Sequence, residues 1–246
     1  MRVGLFIPCY IDAFFPEIGI ATLELLERFG HEVVTRTIRP AAASRWQTAG
    51  STQKRPTPRR CLCATSPAST TSWRLPAAAS TMCVTISTPS SKPTRSRKSA
   101  REYELVEFLH DIMKVDAFPW ARFPHRVGLH NSCGTLRRLK HARPSELHEP
   151  FFSKPMDLLS KVEGIEFVQP ARPDECCGFG GTFSVFDEVV STKMGYDKVR
   201  DHAQAGAEYI VSADSSCLMH QQGCAERIGV LMKFIHIAEI LNGASA

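Results

Sequence analysis

The sequence predicts an α/β protein of two similar units, each a parallel sheet flanked by helices. Runs of strand length alternate with segments of helical periodicity over most of the 246 residues. Two of the strand-like runs, about 120 residues apart, are followed by a cysteine, as IPCY at Cys9 and LHNSC at Cys133. A chain of this length with 43% hydrophobic residues can bury one or two cores. Open parallel sheets bind ligands at the carboxyl ends of their strands, so both cysteines stand where a cofactor is expected.

Residues 3–8 read as a buried strand, 18–29 as an amphipathic helix stopped by Gly30, and 32–35 as a second strand. Residues 103–113 (YELVEFLHDIM) have the apolar spacing of a helix, and 126–130 (RVGLH) that of a strand. A helix around 155–162, a strand at 165–168 and a glycine-rich loop at 176–181 follow. A long helix from 186 to about 205, a strand at 208–213, a helix after Asp214, a strand at 229–232 and a helix at 235–241 complete the chain. The boundary between the units falls between residues 102 and 103.

No run of 18 apolar residues is present, which excludes a spanning helix of the usual kind. The first residues, MRVGLFIPCY, lack the small-residue cleavage site of a secretory signal, so a cytoplasmic protein is expected. The formal net charge of +5 conceals a division. Residues 36–101 hold 13 Lys and Arg and no Asp or Glu, whereas the other 17 basic and 25 acidic residues carry a net −8. Within residues 39–100, Ser, Thr, Ala, Pro and Arg make up 46 of 62 positions, a composition that cannot bury a core.

A basic linker or nucleic-acid arm is one reading of that segment. A stretch translated one base out of register is the other, because GC-rich DNA read out of frame yields these residue types. Moved by one base, 39–50 (RPAAASRWQTAG) becomes compatible with Thr-Cys-Cys-Gly-Gln-Pro-Met-Ala-Asn-Ser-Gly. Residues 70–84 become compatible with a strand and loop, Tyr-Val-Val-Ala-Pro-Ser-Gly-Ser-Cys, and 85–100 with an acidic, helix-like segment. The shifted frame restores a folded pattern, so the segment reads as frameshifted and the run from Lys54 to Arg60 as part of the same artefact.

Cysteine carries the chemistry. Cys61, Cys63 and Cys83 fall in the suspect stretch, which leaves Cys9, Cys133, Cys176, Cys177, Cys217 and Cys224. Forty-two residues separate Cys133 from the Cys176–Cys177 pair, and 39 separate that pair from Cys217. Without an export signal such cysteines are expected to be ligands or redox groups, not a disulfide framework. The Cys-x-x-Cys spacing of zinc sites is absent, whereas an iron-sulfur cluster takes soft thiolates from separate loops. In the loop CCGFGG, Gly178, Gly180 and Gly181 let the backbone approach closely and offer N–H groups to cluster sulfurs.

The strings HNSCG, CCGFGGTFSV and SSCLMHQ resemble the cysteine-rich CCG-domain family, which includes the cysteine-rich subunit of heterodisulfide reductase and the iron-sulfur subunit of glycolate oxidase. The nearest likeness is to its lactate-utilisation branch. The resemblance covers residues 103–246 and implies Cys133, Cys176, Cys177 and Cys217 as thiolates of a 4Fe-4S-type cluster. His220 stands where the family's last cysteine falls, and His220 and Cys224 are further candidate ligands; residues 141–155 look like an insertion. In the shifted frame, cysteines falling on Ala41, Ala42 and Ala79 follow Cys9 at family-like gaps of 31 and 36 residues. As written, the first unit keeps only Cys9, a remnant of a site.

His125, His130 and His236 lie in or beside apolar segments and are expected in the core, while Phe179 and Phe183 are expected to shield a cluster from water. The resemblance implies an iron-sulfur oxidoreductase subunit that passes electrons in the oxidation of L-lactate to pyruvate. Its partners would be a ferredoxin-like iron-sulfur subunit and a third lactate-utilisation subunit, its substrate a small 2-hydroxy acid. A thiol or disulfide reductase subunit is the alternative within the family, and a nucleic-acid-binding protein using residues 36–101 is the alternative outside it. No GxGxxG follows a strand, so flavin and nicotinamide are not expected on this chain.

Overall fold

The computed structural model describes residues 2–36, 83–86 and 101–244, with side chains over 2–35 and 103–244. Strand β1 (Arg2–Phe6) leads through helix α1 (Cys9–Phe14) and helix α2 (Pro16–Arg28) to strand β2 (Glu32–Arg36), which pairs parallel to β1. Pro16 opens α2 with its φ preset and its missing N–H uncounted, and Gly30 at φ +75° closes the turn behind it. Ile18, Ala21, Leu25 and Leu26 recur at helical spacing and face the core.

Strands β3 (Cys83–Ile86) and β4 (Arg101–Glu104) extend this first sheet in the order β2-β1-β3-β4, but both pair antiparallel. The expectation of parallel pairing therefore fails on this side of β1. A parallel neighbour needs a crossover, whereas β4 follows β3 by fourteen residues and returns beside it in the opposite sense. Of the stretch read as frameshifted, only Arg36, the β3 residues and Arg101 are among the described residues; the shifted cysteines on Ala41, Ala42 and Ala79 and the run from Lys54 to Arg60 lie outside them.

Residues 103–113, expected as one helix, begin as the end of β4. The Glu104 carboxylate accepts the Val106 N–H at 2.8 Å, so this residue caps helix α3 (Leu105–Glu107) instead of continuing it backwards. A wide turn, Phe108–Ile112, extends α3. Residues 141–155 are anchored by His141, buried with Nδ1 3.3 Å from Glu104 and Nε2 3.9 Å from Glu107.

The second sheet is parallel throughout, in the order β6-β5-β7-β8. Its strands are β5 (Arg126–Leu129), β6 (Glu166–Val168), β7 (Tyr209–Ser212) and β8 (Lys233–His236). Helix α4 (Lys154–Leu159) connects β5 to β6, helices α5 (Phe183–Phe186) and α6 (Glu188–Gln204) connect β6 to β7, and α7 (Ser215–Ile228) connects β7 to β8. Two further boundaries move. Asp187, at φ −125° and ψ 51°, separates α5 from α6 where one helix was expected. The apolar run 229–232 is not a strand: Gly229 at φ +69° ends α7, Val230 N–H reaches back to the Ala225 carbonyl, and Leu231 is fully exposed.

Helix α8 (Ile237–Asn242) closes the chain with a reciprocal cap between His236 and Glu239, and it packs along α2. One core spans both sheets: Val3, Leu5 and Leu25 belong to the same buried cluster as Val127, Val211 and Leu241. Polar ties reinforce it, since Trp120 donates to the Leu241 carbonyl at 2.9 Å and Asn242 donates to Glu24 at 2.7 Å.

Candidate metal centre

β5 and β7 are neighbours in the sheet, so their carboxyl ends deliver two of the cysteines to one place. Beyond β5, the Ser132 hydroxyl accepts the Thr135 N–H at 3.1 Å and fixes the turn that presents Cys133. Beyond β7, the Asp214 carboxylate caps α7 by accepting the N–H groups of Ser216 at 3.1 Å and Cys217 at 3.4 Å. Cys217 thus occupies the first turn of that helix.

The Cys176–Cys177 pair arrives on a loop clamped by α6. Lys198, fully buried, donates to the carbonyls of Arg172 at 2.7 Å and Pro173 at 3.0 Å. Asp201 accepts the N–H groups of Ala171 and Arg172, each at 2.9 Å. These contacts tie the loop backbone to α6.

The four thiols then follow one another in a file in which each alters the acidity of the next: Cys133 with Cys176, Cys176 with Cys177, and Cys177 with Cys217. Cys133 lies on the exposed rim, and Cys177 and Cys217 are buried. All four are held protonated above the ordinary thiol range. For Cys133 the contact with Cys176 is the largest cause, followed by burial and by the charge of Asp214. Cys176, Cys177 and Cys217 each gain acidity from the preceding thiol of the file, but burial and the remaining negative neighbours outweigh it. Four adjacent thiolates therefore require a cation to ionise together, which is the condition a metal centre meets.

Backbone donors face these sulfurs. Gly178 N–H points at Cys176 Sγ at 3.4 Å, while the backbone N–H groups of Phe179 and Gly134 favour the thiolate forms of Cys177 and Cys133. Gly178 achieves this at φ +91°, in a space where a Cβ would come within 2.5 Å of the Ser191 carbonyl oxygen and 2.8 Å of Met194 Cβ. Gly180 and Gly181, at φ +55° and +64°, carry the loop outwards to the exposed face, next to Gly178 with its N–H on the Cys176 sulfur. Phe179 and Phe183 are half-buried, the former 5.9 Å from the His220 ring.

His220 and Cys224 lie farther along α7. His220 Nε2 is 3.2 Å from the Ser191 carbonyl, and the Cys224 sulfur is 3.9 Å from the same nitrogen. Burial lowers the His220 pKa, partly offset by that carbonyl. Cys9 is exposed at the start of α1, and the adjoining Tyr10 hydroxyl reaches Met219.

His130, expected as a satisfied core residue, is buried but not satisfied: both ring nitrogens lack a hydrogen-bond partner. One ring nitrogen and the sulfurs of Cys177 and Cys217 lie within 4.8 Å of one another. An unpaired polar group buried in this way costs about 1–3 kcal/mol. Burial, with Lys198 and His202 beside it, keeps this imidazole neutral. Of the other two histidines expected in the core, His236 is buried as the cap of α8, whereas His125 is half-exposed and pairs with Glu208 at 3.1 Å. Sequence reading missed His130 because one buried histidine in a strand has no distinguishing pattern.

Residues 127–222 match the CCG cysteine-rich domain family, a stretch that holds all four thiols, His130 and His220. Over the whole chain, "Lactate utilization protein A" of Halalkalibacterium halodurans is 32% identical across 251 residues, covering 98% of this chain and 97% of the relative. The chain belongs to the lactate utilization protein A family. The protein of that name from Geobacillus kaustophilus is also 32% identical, over 98% of this chain and 99% of its own length. The Bacillus thuringiensis one is 30% identical over the full length of both. Among the described residues of this lactate utilization protein A family member, no helix is long and apolar enough to cross a membrane. Its donor set fits a thiophilic metal centre: four sulfurs in file, an amide donor aimed at one of them, and a buried imidazole beside two.

Proposed function

We propose that this chain is an iron-sulfur oxidoreductase subunit in the oxidation of L-lactate to pyruvate, with Cys133, Cys176, Cys177 and Cys217 as the cluster thiolates. The observation that supports the reading best is the continuous file of those four thiols at the carboxyl ends of β5 and β7. Converting L-lactate to pyruvate releases two electrons and two protons, and a 4Fe-4S-type cluster, when bound, supplies one-electron transfer. The relatives' name supplies the lactate link.

The protein's own contribution is the setting. Amide N–H groups of Gly134, Gly178 and Phe179 stabilise thiolate charge and raise the reduction potential of whatever the sulfurs hold. Gly180 and Gly181 keep the loop's outer turn free of side chains, and Phe179 and Phe183 limit water at the rim. His220 and Cys224 face each other and Ser191, so this reading leaves them outside the ligand set. Cys9 is the remnant of a first site whose other cysteines were lost by the frameshift in residues 36–101. The working form is a cytoplasmic complex with a ferredoxin-like iron-sulfur subunit, which takes the electrons, and a third lactate-utilisation subunit.

Anaerobic purification with iron and sulfide analysis tests the cluster, and electron paramagnetic resonance of the assembled complex tests the reaction. A new paramagnetic signal on adding L-lactate is expected. A colourless protein that binds only zinc would sink the cluster, and turnover of a heterodisulfide in place of L-lactate would move the chain to thiol-disulfide chemistry. Resequencing the gene across codons 36 and 101 decides the frameshift, with two compensating single-base shifts as the expected result.

A further inference from the structure

We infer that His130 is a nitrogen ligand that shares one metal ion with Cys177 and Cys217. The inference rests on the reading that these thiols bind metal, and it adds a donor that the cysteine pattern does not contain. His130 directly follows β5, and its own N–H is tied to the Val211 carbonyl at 2.8 Å, which sets its Cα on the sheet with no freedom to move away. The side chain is 1% exposed, and neither ring nitrogen has a hydrogen-bond partner. A buried imidazole normally donates from one nitrogen and accepts at the other, so two unpartnered nitrogens call for a partner of another kind.

The geometry names that partner. One ring nitrogen and the sulfurs of Cys177 and Cys217 lie within 4.8 Å of one another. With metal–nitrogen bonds of about 2.0 Å and metal–sulfur bonds of about 2.3 Å, donors on one tetrahedral ion sit roughly 3.5 Å apart. A contraction of about 1 Å therefore brings the three donors onto a single ion, and the Cys177 and Cys217 side chains can supply it by rotation. Cys133 and Cys176, the outer half of the thiol file, remain for the rest of the centre. Zinc(II) and iron both accept this mixture of thiolate and imidazole donors.

The test uses the full chain, prepared anaerobically with reduced thiols and with 15N in the histidine rings. Zinc(II) chloride is titrated in and the ring nitrogens are followed by nuclear magnetic resonance. One ring-nitrogen resonance is expected to shift with the first equivalent of zinc(II), to be absent in His130→Gln, and to persist in His220→Gln. His130→Gln is expected to bind zinc(II) at least tenfold more weakly. The labelled wild-type protein gives the decisive signal even if His130→Gln folds poorly.

Zinc(II) uptake with no shifted ring nitrogen, a shift that is lost in His220→Gln instead, or no zinc(II) uptake at all would each overturn the assignment. Loading with ferrous iron and sulfide separates it from the proposed function. If no cluster forms but the zinc(II) result holds, the cluster reading falls and the His130 ligand stands. If a cluster forms and pulsed electron paramagnetic resonance detects no histidine nitrogen on it, the cluster stands and the ligand assignment falls.

Discussion

The Tyr10 hydroxyl donates to the Met219 sulfur at 2.9 Å, across 209 positions of sequence. Tyr10 stands beside Cys9 at the start of α1, and Met219 lies one half-turn beyond Cys217 on α7, so this bond ties the two halves at the rim of the thiol site. Burial first, then the charges of Asp214 and Cys217, push the Tyr10 phenol up to about 12. Ultraviolet titration of the apoprotein should therefore show a phenolate step near 12. That step should vanish in Tyr10→Phe and move down in Asp214→Asn. A step unchanged by Asp214→Asn would mean that the Asp214 charge does not reach Tyr10.

Replacing Gly178 with alanine should be the most damaging of the loop's glycine substitutions. At φ +91° an L-residue is strained, and the new methyl would meet the Ser191 carbonyl and Met194. A loss of about 2–4 kcal/mol follows, seen as a melting temperature lower by roughly 5–15 °C for a domain of this size. Gly181→Ala, at φ +64° with open space around it, should cost only about 1 kcal/mol. Equal melting temperatures for the two variants would remove the case for close approach at Gly178.

Much of this arrangement was legible from residues alone because local chemistry decided it. The helix start after Asp214, the glycine stop after α2 and the apolar spacing of α2 each act within a few residues. Where reading failed, a distant partner decided the outcome. Tyr103 belongs to a strand because it pairs with Val84, although its neighbours repeat at helical spacing. Lys233 begins β8 because Tyr209 lies opposite, whereas the more apolar residues before it form an exposed turn. The four thiols were visible as a spacing. His130 was not, because its closeness to Cys177 depends on a loop held from α6 by Lys198 and Asp201.

The thiol file and Cys224 should respond oppositely to serine substitution. Replacing Cys177 or Cys217 removes a buried sulfur from the file, and even outer residues that only orient ligands typically cost 10–100-fold in metal affinity. Bound iron per chain after anaerobic loading should fall at least about tenfold in either variant. Cys224→Ser should leave the iron content unchanged, since that sulfur faces His220 and Gly195. Iron loss in Cys224→Ser matching that in Cys217→Ser would place Cys224 among the ligands.

Stability should fall as pH drops from about 6.5 towards 4. Burial holds His236 down at about 4, and it holds His202 at about 3 with help from the positive charge of Lys198. Both values lie below the ordinary 6.5, so in this window the unfolded chain takes up protons that the folded chain refuses. Each refused proton lowers stability by about 1.4 kcal/mol per pH unit, and above about pH 6.5 the two groups add no slope because both states leave them neutral. Denaturant midpoints measured across this range should therefore shift downward with acid. His236→Asn offers a clean control, because asparagine can keep the cap on Ala238 but does not titrate. The slope in that variant should shrink by about one proton's worth, and an unchanged slope would show that His236 is free to protonate in the folded protein.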